Sequence, residues 1–151
     1  MNLKYRQAKQ RDLSALITLL SADALGSTRE DASLPLNKAY LRAFDSIEAD
    51  NNNELIVVEK DAILVGMIQL TFIPYLSHTG SWRCLIEGVR VARDYRNNGI
   101  GTELIKWAIE RARERRCTIV QLTSDKQRND AIRFYQELGF AASHEGFKLK
   151  L

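Results

Sequence analysis

The hydrophobic positions of this chain change their spacing several times, and each change predicts a new structural element. Leu3 and Tyr5 alternate with polar residues and predict a strand over residues 2–8. Asp12 then precedes apolar residues at helical spacing, which predicts an amphipathic helix that Asp12 can cap. The positions expected to be buried on it are Leu13, Leu16, Ile17, Leu20 and Ala24. A second amphipathic helix is predicted over residues 36–47, after a polar and flexible segment at residues 26–33.

The middle of the chain switches to the pattern of strands. Residues 54–59 and 63–73 are rich in Leu, Ile and Val and flank a short polar turn, so they predict a hairpin. A loop is expected over residues 74–80 and a further strand over residues 81–91. The alternation of such strands with single helices predicts a mixed α/β fold with a central sheet.

Helical spacing returns in the last third of the chain. It predicts a helix from Ile100 to about Arg116 and another over residues 128–138, with a short strand at residues 118–123 between them. The first of these helices is expected to bury Ile100, Leu104, Ile105, Ala108 and Ala112. Residues 140–151 are expected to form a terminal strand or a pair of strands.

Length and composition narrow the class of protein. A chain of 151 residues with 45% hydrophobic content fits one domain spanning residues 1–151. It has no apolar run near 18 residues and no hydrophobic stretch at its N-terminus, so we expect a soluble cytoplasmic protein. Cys84 and Cys117 lack a partner at metal-ligand spacing, so we interpret them as reduced packing residues and expect no metal.

Positive charge is concentrated in one short segment. The net charge is only +3, but four arginines fall within residues 111–116. We interpret this cluster as a solvated outer face at the end of a helix, where cations suit the helix dipole. A surface for nucleic acid, or for a partner that binds the basic patch, is the alternative.

The most informative segment for chemistry runs from Glu87 to Ala112. A strand-like stretch breaks into the turn Arg96-Asn97-Asn98-Gly99-Ile100-Gly101, and a helix follows. A glycine-bearing turn at the start of a helix exposes free backbone N–H groups and the positive end of the helix dipole. With a cation at its first position, this turn predicts a site for phosphate or pyrophosphate. It matches neither the P-loop nor the dinucleotide fingerprint.

A second motif gives this turn a family context. Residues 129–140 read Asn-Asp-Ala-Ile-Arg-Phe-Tyr-Gln-Glu-Leu-Gly-Phe. In this order and spacing, the two motifs resemble the GNAT superfamily of acyl-CoA-dependent N-acetyltransferases. The resemblance implies a mostly antiparallel sheet of about seven strands that splays between strands 4 and 5, flanked by about four helices. It also implies acetyl-CoA as the co-substrate.

The same resemblance assigns roles to individual residues. The CoA pyrophosphate would bind the Arg96 side chain and the turn, and the pantetheine arm would pair with the preceding strand. The residues so assigned are Val89, Arg90, Val91, Arg96, Asn97, Asn98, Gly99, Ile100, Gly101 and Thr102. Asn129 would contact the cofactor arm. Tyr135 would protonate the departing thiolate, because a phenol with an ordinary pKa near about 10 stays protonated at neutral pH.

The attacking amine also needs a base. Glu87 is the leading candidate because it interrupts an apolar strand nine positions before Arg96. The alternative is a structural ion pair between a buried or half-buried Glu87 and Arg83 or Arg90. His78 and His144 are interpreted as surface loop residues, although His78 could line the acceptor pocket.

These observations lead to one expected function and one rival. The expected function is direct transfer of an acetyl group from acetyl-CoA to a primary amine. The rival is a regulatory module that senses acetyl-CoA or binds DNA without turnover. The acceptor pocket is expected from residues 22–41 and 74–82, but no pattern there names the amine. Tyr40, Tyr75 and Trp82 could contribute an aromatic wall for a cationic ligand, although packing in the core is the preferred interpretation. The resemblance and the apolar C-terminal strand favour a homodimer.

Overall fold

The computed structural model describes all 151 residues, which divide into two compact units at residues 1–121 and 122–151. The strands of the first unit are β1 (Leu3–Gln7), β2 (Asn53–Lys60), β3 (Ile63–Pro74), β4 (Trp82–Val91) and β5 (Ile119–Gln121). Its helices are α1 (Leu13–Ser21), α2 (Gly26–Arg29), α3 (Lys38–Ala49), α4 (Ser77–Gly80) and α5 (Ile100–Glu114). The second unit contains α6 (Asn129–Glu137). The single domain predicted for residues 1–151 stays a prediction.

The five strands form one sheet in the order β1-β2-β3-β4-β5. The first four strands run antiparallel to their neighbours, and β5 runs parallel to β4. The β4–β5 pairing covers only three residue pairs, from Arg83 with Ile119 to Leu85 with Gln121. Residues 86–91 of β4 therefore have no strand partner on this side, in agreement with the predicted separation of the fourth and fifth strands.

The sheet has an apolar layer on each face. On one face α1 and α3 pack against β2 and β3, in a cluster that includes Leu16, Ile17, Phe44, Val57 and Met67. On the other face α5 buries the five residues predicted for it: Ile100, Leu104, Ile105, Ala108 and Ala112. The stripe of α1 is confirmed at Leu13, Leu16 and Ile17, whereas Ala24 lies beyond the end of the helix.

The prediction of about seven strands was wrong because the C-terminal segment forms no strand. Its apolar residues alternate with lysines, which is the pattern of a strand with one buried face. In the structure Phe147, Leu149 and Leu151 are all exposed. A strand exists only where its N–H and C=O groups pair with a neighbour, and this segment has no such neighbour.

The prediction of about four helices was also wrong, because two segments expected as loops contain a helical turn. Within residues 26–33, α2 begins at Gly26, whose N–H donates to Asp23 Oδ1 at 2.6 Å. A Cβ at Gly26 would lie 1.9 Å from the Leu20 carbonyl oxygen, so only glycine allows this approach. The loop before β4 contains α4, in which His78 and Thr79 adopt positive φ.

None of the helices combines the length and the apolar composition that a membrane span requires.

The sequence predicted that the arginine cluster forms a solvated outer face. In the structure, two of its four arginines instead have partners within the protein. Arg111 donates from Nε to Oε1 and Oε2 of the buried Glu54, at 3.1 and 3.0 Å. Arg115 donates to the Asn51 carbonyl oxygen and stacks on Phe72, 4.2 Å from the ring centroid. Half of the cluster therefore joins α5 to the sheet, because helical spacing turns every fourth residue toward the same side.

Asp12 lies immediately before α1, but its carboxylate caps nothing in that helix. It accepts hydrogen bonds from Arg6 Nη1 and Nη2, at 2.8 and 2.9 Å, and from the Lys9 N–H at 2.7 Å. The Arg6 guanidinium also donates to Glu59 at 2.7 Å. A local sequence signal cannot identify such partners, since Glu59 lies on a different strand.

Candidate anion-binding and catalytic site

A β-bulge interrupts β4 just after Glu87. Gln69 pairs with Glu87 and Met67 pairs with Arg90, so Ile68 alone faces two residues of β4. Gly88 sits in the bulge with φ +59°, a conformation that L side chains rarely adopt. A bulge bends its strand and changes the direction of the main chain. This bulge lies just beyond Leu85, where the pairing of β4 with β5 ends.

The main chain that follows the bulge is available to a ligand. Residues 86–91 have strand partners only in β3. The Val89 carbonyl oxygen accepts a hydrogen bond from Arg90 Nη1 at 2.9 Å, which leaves its second lone pair open. An extended ligand can pair with such an edge as an added strand.

The turn from Arg96 to Gly101 forms a concave run of free amides at the start of α5. Asn97 and Gly99 have φ of +60° and +77°, and Asn98 Nδ2 closes the turn on the Arg96 carbonyl oxygen at 3.1 Å. The first hydrogen bond of the helix is from Glu103 N–H to the Gly99 carbonyl oxygen. The N–H groups of residues 98–102 have no acceptor within the protein. Successive free N–H groups at a helix N-terminus attract an anion.

Arg96, the first residue of this turn, has its side chain attached to the end of β4. Its Nε donates to the Val91 carbonyl oxygen at 3.0 Å, which fixes the side chain to the end of β4. The two terminal nitrogens make no such bond, and the residue is exposed. The donor set of free amides and one guanidinium fits a pyrophosphate.

Glu87 lies on the exposed part of β4, contrary to the expected buried or half-buried position. It has no ion pair with Arg83, whose Nη1 instead donates to Gln121 Oε1 at 3.2 Å. The residue directly across from Glu87 is Gln69, which donates to Asn53 Oδ1 at 2.9 Å. An exposed carboxylate at this position is accessible to water or to a ligand.

Tyr135 belongs to α6 in the second unit. Its ring makes edge contacts with Phe134 and Phe140, with centroids 5.1 and 5.7 Å away. The residue is half-buried, so the ring packs while part of it remains open. Asn129 is the first residue of α6 and is exposed.

Other candidate nucleophiles and bases are placed less favourably. Cys84 is fully buried, and burial raises the pKa of its thiol to about 12. This agrees with the interpretation of Cys84 as a packing residue and disfavours it as a covalent acyl carrier, because only a thiolate is nucleophilic. His78 and His144 are exposed, and His144 Nδ1 lies 2.6 Å from Ser143 Oγ. No group of His, Cys, Asp and Glu side chains is arranged to hold a metal ion.

Of the three aromatic residues considered for an aromatic wall, Tyr40 and Tyr75 make polar or cation–π contacts within the protein. The Tyr40 hydroxyl accepts from the Asp31 N–H at 2.8 Å and donates to Glu30 Oε1 at 3.1 Å. The Arg83 guanidinium lies over the Tyr75 ring, with its central carbon Cζ 4.1 Å from the ring centroid. From the sequence alone, Arg83 could be predicted only as an ion-pair partner for Glu87. Its placement beside Gln121 could be found only through the pairing of β4 with β5.

Comparisons with known proteins identify the family of this chain. The model of the acetyltransferase (GNAT) family matches residues 16–140, which include the turn before α5 and all of α6. The chain therefore belongs to the acetyltransferase (GNAT) family and is an acyl-CoA-dependent N-acetyltransferase. The resemblance seen in the sequence is confirmed.

Individual relatives give further context. The aminoalkylphosphonate N-acetyltransferase of Salmonella typhimurium is 31% identical over 110 residues, which cover 73% of this chain and 71% of that protein. A protein from Bacillus halodurans C-125, described as a transcriptional regulator, is 51% identical with a TM-score of 0.96, over 99% of this chain and all of that one. An acetyltransferase from Clostridium acetobutylicum with acetyl-CoA is 21% identical with a TM-score of 0.74, over 99% and 96%. At that identity the last comparison shows the fold alone.

Proposed function

We propose that the protein transfers an acetyl group from acetyl-CoA directly to a primary amine. The observation that carries this proposal is the run of free amides at residues 98–102, with Arg96 fixed beside it. It is the right donor set for the CoA pyrophosphate, and it follows a strand whose outer edge is open. That edge, at Val89, Arg90 and Val91, would pair with the pantetheine arm, and Asn129 would contact the same arm.

Two residues would carry the proton transfers. Glu87 would take a proton from the acceptor's ammonium group, directly or through a water. The neutral nitrogen then bonds to the acetyl carbonyl carbon, the bond from that carbon to sulfur breaks, and the nitrogen releases its second proton to solvent as the amide forms. Tyr135 would give its phenolic proton to the departing thiolate and recover one from solvent. Support for Glu87 is its exposure beside the bulge, and support for Tyr135 is the motif that it shares with the family.

The amine remains to be identified, and the Salmonella relative suggests where to begin. That protein is named for aminoalkylphosphonates, so small amines that carry a phosphonate are the first acceptors to test. Cytoplasmic location and a homodimer stay predictions.

The test has a binding step and a turnover step. Titration calorimetry should detect acetyl-CoA binding below roughly millimolar concentration, and release of free thiol in the presence of an amine panel should report turnover. No binding in that range would rule out the proposal. Binding with no turnover on any amine would instead support a sensor.

A second candidate function is regulatory, as the description of the Bacillus halodurans protein suggests. The arginine cluster offers this function little free charge, because Arg111 and Arg115 are engaged within the protein. Binding to random-sequence DNA that weakens steeply with salt would favour regulation. We expect no such binding at physiological salt.

A further inference from the structure

One face of the sheet carries a polar surface that the α1 and α3 layer leaves open. Register places Arg83, Leu85 and Glu87 on this face of β4, because alternate residues of a strand share a face and pairing with β3 is continuous there. Across the strands, Leu85 lies between Thr71 and Gln121, and Glu87 lies beside Gln69. We call the set Asn53, Gln69, Thr71, Arg83, Glu87 and Gln121 the polar floor.

Most of the polar floor is uncharged and already hydrogen-bonded. Gln69 Nε2 donates to Asn53 Oδ1 at 2.9 Å, and Thr71 Oγ1 lies 3.4 Å from the same oxygen. Its two charged members are Arg83 and Glu87, four residues apart on one strand, or about 13 Å between Cα atoms. The floor therefore has a cationic end and an anionic end with a short polar stretch between them.

Arg83 has hydrogen-bonding capacity that the protein does not use. Of its five N–H groups, one donates to Gln121 Oε1 at 3.2 Å, and Nε is buried without an acceptor. By contrast, Arg6 and Arg111 are each paired with two carboxylates. The other N–H groups of its terminal nitrogens have no acceptor within the protein, so an anion that reaches this guanidinium would find donors that are not yet used.

The guanidinium is also held in place before any ligand arrives. Tyr75 supports one of its faces at 4.1 Å, and Gln121 fixes one edge. A planar fork whose orientation is already fixed suits a carboxylate, phosphonate or phosphate, which accepts two parallel hydrogen bonds. Little side-chain entropy would be lost on binding.

From this arrangement we propose that the acceptor is a small amine that also bears an anionic group, with Arg83 binding the anion. This inference rests on the proposed function, since Glu87 is taken to face the amine end of the acceptor. Arg83 is then a specificity-determining residue: it selects among amines and takes no part in the proton transfers. A neutral amine of the same length would lose the contact with Arg83 while keeping the contact with Glu87.

The experiment compares acceptors matched in length. 2-Aminoethylphosphonate and β-alanine carry an anion, whereas ethanolamine and propylamine do not. For the wild-type protein we expect kcat/KM to be about 10- to 100-fold higher with the anionic pair. In Arg83→Gln that advantage should disappear mainly through a higher KM for the anionic pair, with acetyl-CoA affinity unchanged.

Two further variants separate this role from a structural one. Arg113→Gln removes the same charge from an exposed position of α5, where it pairs with Glu110, and should leave every acceptor unchanged. Arg83→Lys keeps the charge without the fork and should retain part of the preference, which gives a second readout if Arg83→Gln folds poorly. Thermal unfolding checks the fold of each variant.

The possible outcomes are distinguishable. Equal rates for matched anionic and neutral amines would overturn the proposed acceptor class, while leaving acetyl transfer intact. An Arg83→Gln variant that slows all amines equally would show a structural role and also overturn it. Failure of the wild-type protein to bind acetyl-CoA would overturn the proposed function, and this inference with it.

Discussion

Arg111 on α5 holds the carboxylate of Glu54 on β2, with Nε 3.1 Å from Oε1 and 3.0 Å from Oε2. Glu54 is only 5% exposed, so its carboxylate is largely removed from water and takes its hydrogen bonds from the protein. The pair in turn raises the pKa of Arg111, chiefly through the hydrogen bond to Glu54. The helix that begins at the anion-binding turn is therefore tied to the sheet at its far end.

The first prediction concerns this tie. Arg111→Gln should lower the free energy of unfolding by about 2 kcal/mol, because it leaves the buried carboxylate with only the longer contact from Arg115 Nη1, at 3.5 Å. Arg113→Gln is the matched control, since Arg113 is 67% exposed in its pair with Glu110 and should cost less than about 0.5 kcal/mol. Urea unfolding of both variants measures the difference. Equal losses would show that Arg111 contributes no more than a surface arginine.

The second prediction is a pH dependence at Asp12. Hydrogen bonds from Arg6 are the main cause that lowers the pKa of Asp12 below its ordinary value. An acid with a lowered folded-state pKa contributes stability that is fully present above its unfolded-state pKa, near about 3.9. That stability is lost as pH falls through the lower folded-state pKa.

Asp12→Asn should therefore destabilise the protein at neutral pH, by about 2 kcal/mol. The gap between variant and wild type should close as the pH falls below about 4. Asp45→Asn, at an exposed position of α3, is the control and should show no such gap. Urea unfolding at a series of pH values tests this, and a gap that stays constant with pH would contradict it.

Local sequence patterns correctly predicted the structural features that depend on local backbone geometry. The buried stripe of α5 follows from helical spacing, and the turn at residues 96–101 follows from Gly99 and the polar residues around it. The C-terminal strand was predicted wrongly for the same reason. Alternation at Phe147, Leu149 and Leu151 shows which face of a strand would be buried, but not whether a neighbouring strand exists.

Pairings between distant segments had to come from the structure. The sequence places Arg83 and Glu87 on one strand, but Gln121 reaches Arg83 only because β5 runs parallel to β4. Likewise, Glu54 meets Arg111 across 57 positions of sequence. From the sequence, Glu87 could be predicted as a carboxylate on a strand. Its exposure, and its position opposite the uncharged Gln69, could not be predicted.

The third prediction tests the anion-binding turn. Gly99→Ala places a Cβ on a residue with φ +77°, within the run of free amides at residues 98–102. This Cβ would also lie 3.5 Å from Met1 Cε. We expect acetyl-CoA affinity to fall about 10-fold, because the turn must distort and a phosphate can no longer approach the amides closely. Gly80→Ala is the control, since Gly80 has φ +68° with nothing within 4 Å. Calorimetry should show normal affinity for the control, and equal losses would assign the effect to backbone strain alone.

The fourth prediction separates the two roles considered for Glu87. Glu87→Gln should lower kcat about 100-fold if Glu87 is the base. Because Glu87 is exposed and has no ion pair with Arg83, the free energy of unfolding should change by less than about 0.5 kcal/mol. Glu48→Gln, on the exposed part of α3, is the control for both measurements. A variant that unfolds more easily yet turns over normally would support the structural alternative.

The fifth prediction concerns Tyr135. Tyr135→Phe removes only the hydroxyl and keeps the ring contacts with Phe134 and Phe140. Turnover should fall about 100-fold, because the thiolate would leave without a positioned acid. Acetyl-CoA affinity should stay within about 2-fold, since the phenol acts on the leaving group and not on ground-state binding. Tyr5→Phe, in the ring stack with Trp107, is the control and should leave kcat unchanged. Unchanged kcat in Tyr135→Phe would show that another group or water supplies the proton, and would leave Tyr135 with the packing role that its two aromatic neighbours already indicate.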